Sequence, residues 1–69
     1  MQEIKTNDLG LKIKEYIDSK GITQKFLTDK TGITPEKISN ICNGKRKVTG
    51  EELLLIARAL EINPNIFLD

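Results

Sequence analysis

The chain has 69 residues, a formal net charge of +1 at pH 7, one cysteine and no histidine. This length suits a single small domain, a lone cysteine cannot form an internal disulfide, and a zinc site is not expected without histidine. The first residues contain no apolar run, so we expect a cytoplasmic protein without a signal peptide or a membrane-spanning helix. We interpret residues 1–69 as one domain and expect residues 1–7 to be disordered or loosely attached.

The charge is unevenly distributed along the chain. Residues 20–50 carry seven basic and two acidic side chains, whereas residues 51–69 carry one basic and four acidic side chains. A basic centre beside acidic ends indicates a face that binds a polyanion. An ordinary solvated lysine-rich surface would have the same charges, so charge alone does not decide between the two.

The apolar residues recur with the period of an α-helix and do not alternate as they would in a strand. The first helix is expected to begin at Asn7 or Asp8 and to end at Lys20-Gly21, where glycine tolerates the left-handed conformation. Four residues form its apolar stripe: Leu9, Ile13, Tyr16 and Ile17.

A short second helix is predicted at about residues 24–30. Thr23 is its expected cap, and Phe26 and Leu27 are its expected inward residues. The segment Thr31-Gly32-Ile33 then forms a tight turn into the next helix.

The third helix is predicted at residues 34–43. Thr34 is its cap, and Pro35 occupies the first helical position, where a missing N–H costs nothing and the fixed φ suits the helix. Ile38 and Ile41 are expected to be buried. The helix ends at Asn43-Gly44, before a basic loop at residues 45–47.

A fourth helix is expected to run from a capping box to Leu60. Thr49 is followed three residues later by Glu52, which is the spacing of that motif. The apolar stripe of this helix consists of four residues: Leu53, Ile56, Ala57 and Leu60. Asn63-Pro64 repeats the pattern of a cap followed by proline and starts a last helical turn, so five short helices are predicted.

Two short helices joined by a minimal glycine-containing turn form the arrangement of a helix-turn-helix. The order of elements resembles the phage-repressor type of this domain, the family of lambda-type repressor and Cro proteins. The resemblance covers about residues 9–68 and rests on these segments: Thr23-Gln24, Leu27, Gly32-Ile33-Thr34, Ile38-Ser39, Ile41, Asn43-Gly44-Lys45-Arg46-Lys47, Leu53-Leu54, Ile56-Ala57 and Ala59-Leu60. It implies an all-α, compact five-helix lambda-repressor-like domain with its helix-turn-helix at about residues 23–43.

The resemblance also implies a function, namely sequence-specific binding of double-stranded DNA by a transcriptional regulator, most simply a repressor. Helix 34–43 would read the major groove, and the protein would bind as a weak homodimer, without a cofactor or a small-molecule ligand. The residues expected at base edges are Pro35, Glu36, Lys37 and Asn40. The residues expected at phosphates are Thr23, Gln24, Thr34, Asn43, Lys45 and Lys47.

The chemistry of most of these residues agrees with the roles that the resemblance implies. Glutamate can accept from cytosine, asparagine can bridge adenine, and lysine can donate to guanine. Helix N-termini at Thr23 and Thr34 offer backbone N–H groups and a favourable dipole to phosphate. Pro35 departs from the pattern because its side chain has no donor or acceptor, which leaves only apolar contact, such as to a thymine methyl.

Cys42 and Ile17 replace two charged residues found in many members of the family. Those members have glutamate at the position of Cys42 and arginine at the position of Ile17, and the two form a buried ion pair. Losing one partner would strand a buried charge, whereas replacing both can be neutral. We therefore expect Cys42 to pack in the core as a small hydrophobe, without a redox or metal-binding role.

Three further expectations concern partners and alternatives. Leu55, which lies off the stripe of the fourth helix, and Phe67 and Leu68, at an exposed end, are expected to form a weak self-association surface. A protein-interaction module on the same fold, antitoxin-like or an anti-repressor partner, is the alternative, supported by the modest net charge and by Pro35. An enzyme is not expected, because the chain has no histidine, no phosphate-cradling glycine loop and no paired acidic constellation.

Overall fold

The computed structural model describes residues 8–68 and shows four α-helices followed by one 3₁₀ turn. The helices are α1 (Asp8–Lys20), α2 (Gln24–Thr31), α3 (Pro35–Cys42) and α4 (Gly50–Leu60), and the turn is Pro64–Phe67. The predicted all-α fold is confirmed, but the count of five helices is not, since four α-helices are present in the described residues. The last element has only four residues, a length at which i→i+3 bonding is common. The expectations for residues 1–7, including a cap at Asn7, lie outside the described residues.

Threonine side chains cap the N-termini of three of the helices. Thr23, Thr34 and Thr49 each accept a hydrogen bond from the backbone N–H three residues further on, at 3.1, 3.3 and 3.1 Å. Glu52 completes the predicted capping box, because its carboxylate accepts from the Thr49 N–H at 3.1 Å. Pro35 is at the start of α3, where its missing N–H leaves no partner unsatisfied. These local interactions account for where the helices start.

The turn between α2 and α3 is held by its own hydrogen bonds. Gly32 adopts a left-handed conformation with φ of 80°, and its N–H donates to the Thr28 carbonyl at 3.0 Å. The Thr31 hydroxyl donates to the Leu27 carbonyl at 2.6 Å and accepts from the Ile33 N–H at 3.1 Å. Because every turn residue is engaged, α3 leaves α2 in one defined direction.

One apolar core joins all of the elements. Its buried members are Ile13, Ile17, Leu27, Ile33, Ile38, Cys42, Leu53, Ile56 and Phe67. Ile17 and Cys42 are each only 1% exposed, so both lie in the core as expected. Burial raises the pKa of the Cys42 thiol, which keeps it protonated at neutral pH. No helix within residues 8–68 is long and apolar enough to cross a bilayer.

The burial of two aromatic residues differs from the prediction. Phe26 is 37% exposed, and the Lys30 ammonium lies 5.7 Å from its ring centroid, so Leu27 is the residue of this pair that faces inward. Phe67 was expected on an exposed self-association surface, but it is 4% exposed and packs edge-to-face on Tyr16, with ring centroids 5.7 Å apart. The final turn folds back on α1, which buries the ring.

The packing of α3 on α1 depends on a glycine. Gly10 is buried, and a Cβ atom at this position would overlap the carbonyl oxygen of Ile41. The absence of a side chain therefore lets the two backbones approach closely. This contact sets the depth at which α3 lies in the domain.

Candidate nucleic-acid interface

Burial of one side of α3 determines which residues face outward. Ile38 and Ile41 are 1% and 0% exposed, so this side of the helix is in the core. The residues predicted to read bases lie away from it: Pro35, Glu36 and Lys37 are exposed, and Asn40 is half-buried. All four candidates are thus accessible to solvent, Pro35 because it is at the first position of the helix.

The end of α3 is closed by a compact turn. The N–H groups of Asn43, Gly44 and Lys45 donate to the carbonyls of Ser39, Ile41 and Asn40, at 2.9, 3.1 and 2.8 Å. Because Gly44 has a φ of 73°, the chain reverses there and places Lys45 directly after the helix. Backbone hydrogen bonds therefore fix the position from which the Lys45 side chain extends.

Ser39 is a residue of this surface that sequence reasoning did not assign. The Asn43 side-chain amide donates to the Ser39 hydroxyl at 3.4 Å. This bond holds the Asn43 side chain along the helix and leaves its second amide hydrogen available to a phosphate. The spacing of four residues, which places two side chains on one helical face, was the signal that could have found the pair.

Arg46 separates two exposed lysines in the basic loop. Its guanidinium contacts the Glu52 carboxylate at 2.8 Å, and the two side chains are 32% and 14% exposed. Burial of the Glu52 carboxylate acts to raise its pKa, but hydrogen bonds from Arg46 and the Thr49 N–H outweigh this and lower the pKa. Arg46 thus anchors the loop to α4, while Lys45 and Lys47 are exposed.

Neighbouring groups engage most of the central basic residues. Four of the seven are in ion pairs or above aromatic rings: Lys20, Lys25, Lys30 and Arg46. Within the part of the chain that the structure describes, no ion pair involves Lys37, Lys45 or Lys47. Lys20 and Lys30 keep their charge as well, because an aromatic ring is neutral, but Lys37, Lys45 and Lys47 are the three unpaired cations that lie on α3 or in the loop after it.

The starts of α2 and α3 lie side by side. Gln24 and Pro35, each the first residue of its helix, line a common cleft of about 360 Å³ together with Lys25, Thr28 and Asp29. The hydroxyls of Thr23 and Thr34 already accept capping hydrogen bonds, so only their hydroxyl hydrogens are available to an external acceptor. The residues predicted to contact phosphate thus flank the outer face of α3 at both of its ends.

A family model described as Helix-turn-helix matches residues 13–67, which include all of α2, α3 and α4. The chain belongs to this helix-turn-helix family. The match covers most of the chain and confirms the resemblance to lambda repressor and Cro proteins. The helix-turn-helix formed by α2 and α3 lies within the central basic segment, residues 20–50.

Solved structures of helix-turn-helix regulators resemble this fold. The restriction-modification controller protein C.AhdI from Aeromonas hydrophila is 26% identical, with a TM-score of 0.78 over 90% of this chain and 92% of that chain. A single-residue variant of the restriction-modification controller protein C.Esp1396I is 29% identical, with a TM-score of 0.81 over 99% of this chain and 86% of that chain. The clp gene regulator ClgR from C. glutamicum, at 22% identity and a TM-score of 0.86 over 97% of this chain and 87% of that chain, shows the fold alone. No curated protein sequence matches the chain significantly.

These comparisons support DNA binding and transcription regulation as the function of this helix-turn-helix protein. They do not bear on individual side chains, so the base-reading and phosphate-contacting residues stay predictions. The start of α2 lies beside the start of α3, and the basic loop follows the other end of α3.

Proposed function

We propose that this protein is a sequence-specific repressor that places the outer face of α3 in the major groove of double-stranded DNA. The observation that supports this most directly is the orientation of α3. Its two isoleucines are buried, whereas Glu36 and Lys37 are exposed, and the exposed Lys45 and Lys47 follow the helix in the basic loop. An α-helix presented in this way matches the width of the major groove.

Three polar side chains of α3 can read the bases. Glu36 can accept from the amino group of cytosine, Lys37 can donate to guanine, and Asn40 can bond adenine through both atoms of its amide. Asn40 is half-buried, so its side chain is more restricted in position than the exposed Glu36 and Lys37. We therefore assign Asn40 the most stringent contact.

Phosphate contacts position the helix on the duplex without reading sequence. On one side, Gln24 and the N-terminal N–H groups of α2 and α3, after Thr23 and Thr34, can bind backbone oxygens. On the other side, Asn43, Lys45 and Lys47 follow α3 and can do the same. Two such groups at opposite ends of a reading helix hold it in one register.

Repression follows if a bound dimer occludes a promoter. Helix-turn-helix dimers bind pseudo-palindromic sites whose half-sites lie about one helical turn apart. Of the residues predicted for self-association, Leu68 is 58% exposed and Leu55 is half-buried, whereas Phe67 belongs to the core. Leu54 on α4 and Ile66 in the final turn, at 57% and 48% exposed, are additional apolar groups that a second copy could cover.

Selection of bound sequences from a random duplex pool, followed by titration at several salt concentrations, tests the proposal. If Lys45 and Lys47 neutralise phosphates while Lys37 contacts a base, log K should fall with log salt with a slope of about −2 per bound domain. Engagement of all seven central basic residues would instead give a slope of about −6. Absence of duplex binding at low salt would refute the proposal and favour the alternative of a protein-interaction module on the same fold.

A further inference from the structure

Leu11 is an apolar residue of α1 whose position the core does not explain. Its side chain is 46% exposed, and within residues 8–68 the buried cluster and the half-buried side chains packed on it do not include Leu11. The side chain lies against the basic loop, because a Cβ atom at Gly44 would be only 3.2 Å from the Leu11 Cδ2 atom and 3.3 Å from its Cγ atom. The branched end of this leucine therefore covers the backbone of the turn after α3.

Two consecutive residues of α1 thus contact the end of α3 and the turn that follows it. Gly10 lies against the Ile41 carbonyl oxygen, and Leu11 lies against Gly44. The two contacted residues are themselves joined, because the Gly44 N–H donates to the Ile41 carbonyl at 3.1 Å. These contacts fix the turn relative to α1 as well as to α3.

We infer that Leu11 is a positioning residue for the phosphate contacts proposed at Asn43 and Lys45. It does not touch DNA in this assignment and acts through Gly44, which lies between those two residues. The inference rests on the proposed function, since it concerns the same loop.

The conformation of Gly44 is the reason that a side chain is needed at this place. Glycine has no Cβ atom to restrict its backbone, and the turn requires the left-handed conformation, with φ of 73°. Lys45 is exposed and extends from the next residue, so a change in the Gly44 backbone would displace its ammonium group. Ordering a loop on binding costs affinity. A turn that Leu11 already holds in place therefore binds phosphate more tightly.

Loop order in the free protein provides the first test. Leu11→Ala should lower the nitrogen–proton nuclear Overhauser effect of the Gly44 and Lys45 amides, which reports fast backbone motion. Leu60→Ala, the same change in a half-buried leucine of α4 that packs on the core, should lower stability without this local effect. Unchanged loop order in Leu11→Ala, or an equal change in Leu60→Ala, would overturn the inference.

DNA binding provides the second test. Leu11→Ala should weaken binding to all duplexes alike by about fivefold, which is the size of one weakened hydrogen bond. In a Lys45→Ala background the same substitution should cost clearly less, because one of the contacts that it positions is already absent. Strictly additive losses, or a loss that depends on the base sequence, would contradict a positioning role.

Conservative variants separate positioning from folding. Leu11→Met keeps an apolar side chain of similar volume, so it should preserve both the loop order and the affinity. Alanine is the strongest helix former, so Leu11→Ala should remain folded, which circular dichroism checks. Leu11→Val, a smaller truncation, should show the same effects to a lesser degree and provides the answer if Leu11→Ala weakens folding.

Failure of the inference is distinguishable from failure of the proposed function. Sequence-specific binding that is insensitive to Leu11→Ala would overturn the positioning role and leave the proposed function intact. Absence of duplex binding by the unaltered protein would overturn both, whatever the loop order of the variants.

Discussion

Gly10 in α1 lies against Ile41 in α3 so closely that a methyl group on Gly10 would overlap the Ile41 carbonyl oxygen. Ile41 is fully buried, and the turn that follows it places the basic loop. The packing of α1 against α3 therefore determines the position of the proposed reading helix. A change at Gly10 should affect both stability and DNA binding.

We expect Gly10→Ala to lower the free energy of unfolding by about 1–3 kcal/mol, because the added methyl group forces α1 and α3 apart. Denaturant unfolding followed by circular dichroism measures this. Gly50→Ala is the matched control, since a Cβ atom at Gly50 would contact nothing within 4 Å and the residue is at the start of a helix. Equal losses in the two variants would contradict the proposed close approach.

The Glu52 carboxylate should make stability depend on pH. Its pKa in the folded chain lies below the usual value of 4.5, because the hydrogen bonds from Arg46 and Thr49 outweigh the opposing effect of burial. The unfolded chain therefore binds the proton more readily, so this contribution is present above about pH 4.5 and is lost as the pH falls through the folded pKa.

Glu52→Gln should flatten the rise in the free energy of unfolding between acidic and neutral pH. Denaturant titrations at several pH values provide the measurement. Glu51→Gln, an exposed neighbour in the same helical turn, is the control and should preserve the slope. If both variants flatten the profile equally, the effect does not come from the capping box and its arginine.

The apolar pair Ile17 and Cys42 should tolerate joint replacement better than single replacement. Each residue is 1% exposed, so Ile17→Arg or Cys42→Glu alone would bury a charge without a partner and should cost about 3–5 kcal/mol of stability. The double variant should recover part of this loss by forming an ion pair. A double-mutant cycle measured by denaturation gives the coupling, and strictly additive losses would show that the two sites do not pair.

Lys45 and Asn40 should have different effects on DNA recognition. Lys45→Ala should weaken binding to all sequences to a similar degree and reduce the salt slope by about one, as expected for a phosphate contact. Asn40→Ala should change the preference at one base position by about 1–3 kcal/mol. Competition titrations with duplexes that differ at single positions measure both effects, and a sequence-dependent loss from Lys45→Ala would reverse the assignment.

Substitutions of Phe67 and Leu68 should have separate effects, the first on folding stability and the second on self-association. Phe67→Ala removes a buried ring and should cost about 3–5 kcal/mol of stability. Leu68→Ser changes a side chain that is 58% exposed and should weaken dimer formation on DNA with little effect on stability. Analytical ultracentrifugation with and without duplex DNA tests this, and unchanged association of Leu68→Ser would exclude the C-terminal end from the interface.

The sequence predicted some features of this chain well because they depend on near neighbours. The caps Thr23, Thr34 and Thr49 bond to residues three positions away, and Gly32 reverses the chain through its own backbone conformation. Such interactions are complete within one or two turns, so the spacing of residue types reveals them. The burial of Ile38 and Ile41 followed from the same helical period.

Other features depended on which elements meet in space. Phe26 and Leu27 are adjacent apolar residues, and packing of α2 on the core buries only the second. The sequence offered no sign that Phe67 would fold back on Tyr16 or that Arg46 would pair with Glu52. The cleft between Gln24 and Pro35 likewise exists only because the turn brings the starts of two helices together.

The sequence by itself therefore determined, to within a residue or two, where the helices begin and end, and that Ile38 and Ile41 of α3 face the core. The tertiary structure decided which aromatic rings are buried, that Arg46 pairs with Glu52 and how close α3 approaches α1. The physical reason is the distance along the chain over which each interaction acts. Capping and helical period act over a few residues, whereas burial and charge pairing depend on partners that only the folded chain brings together.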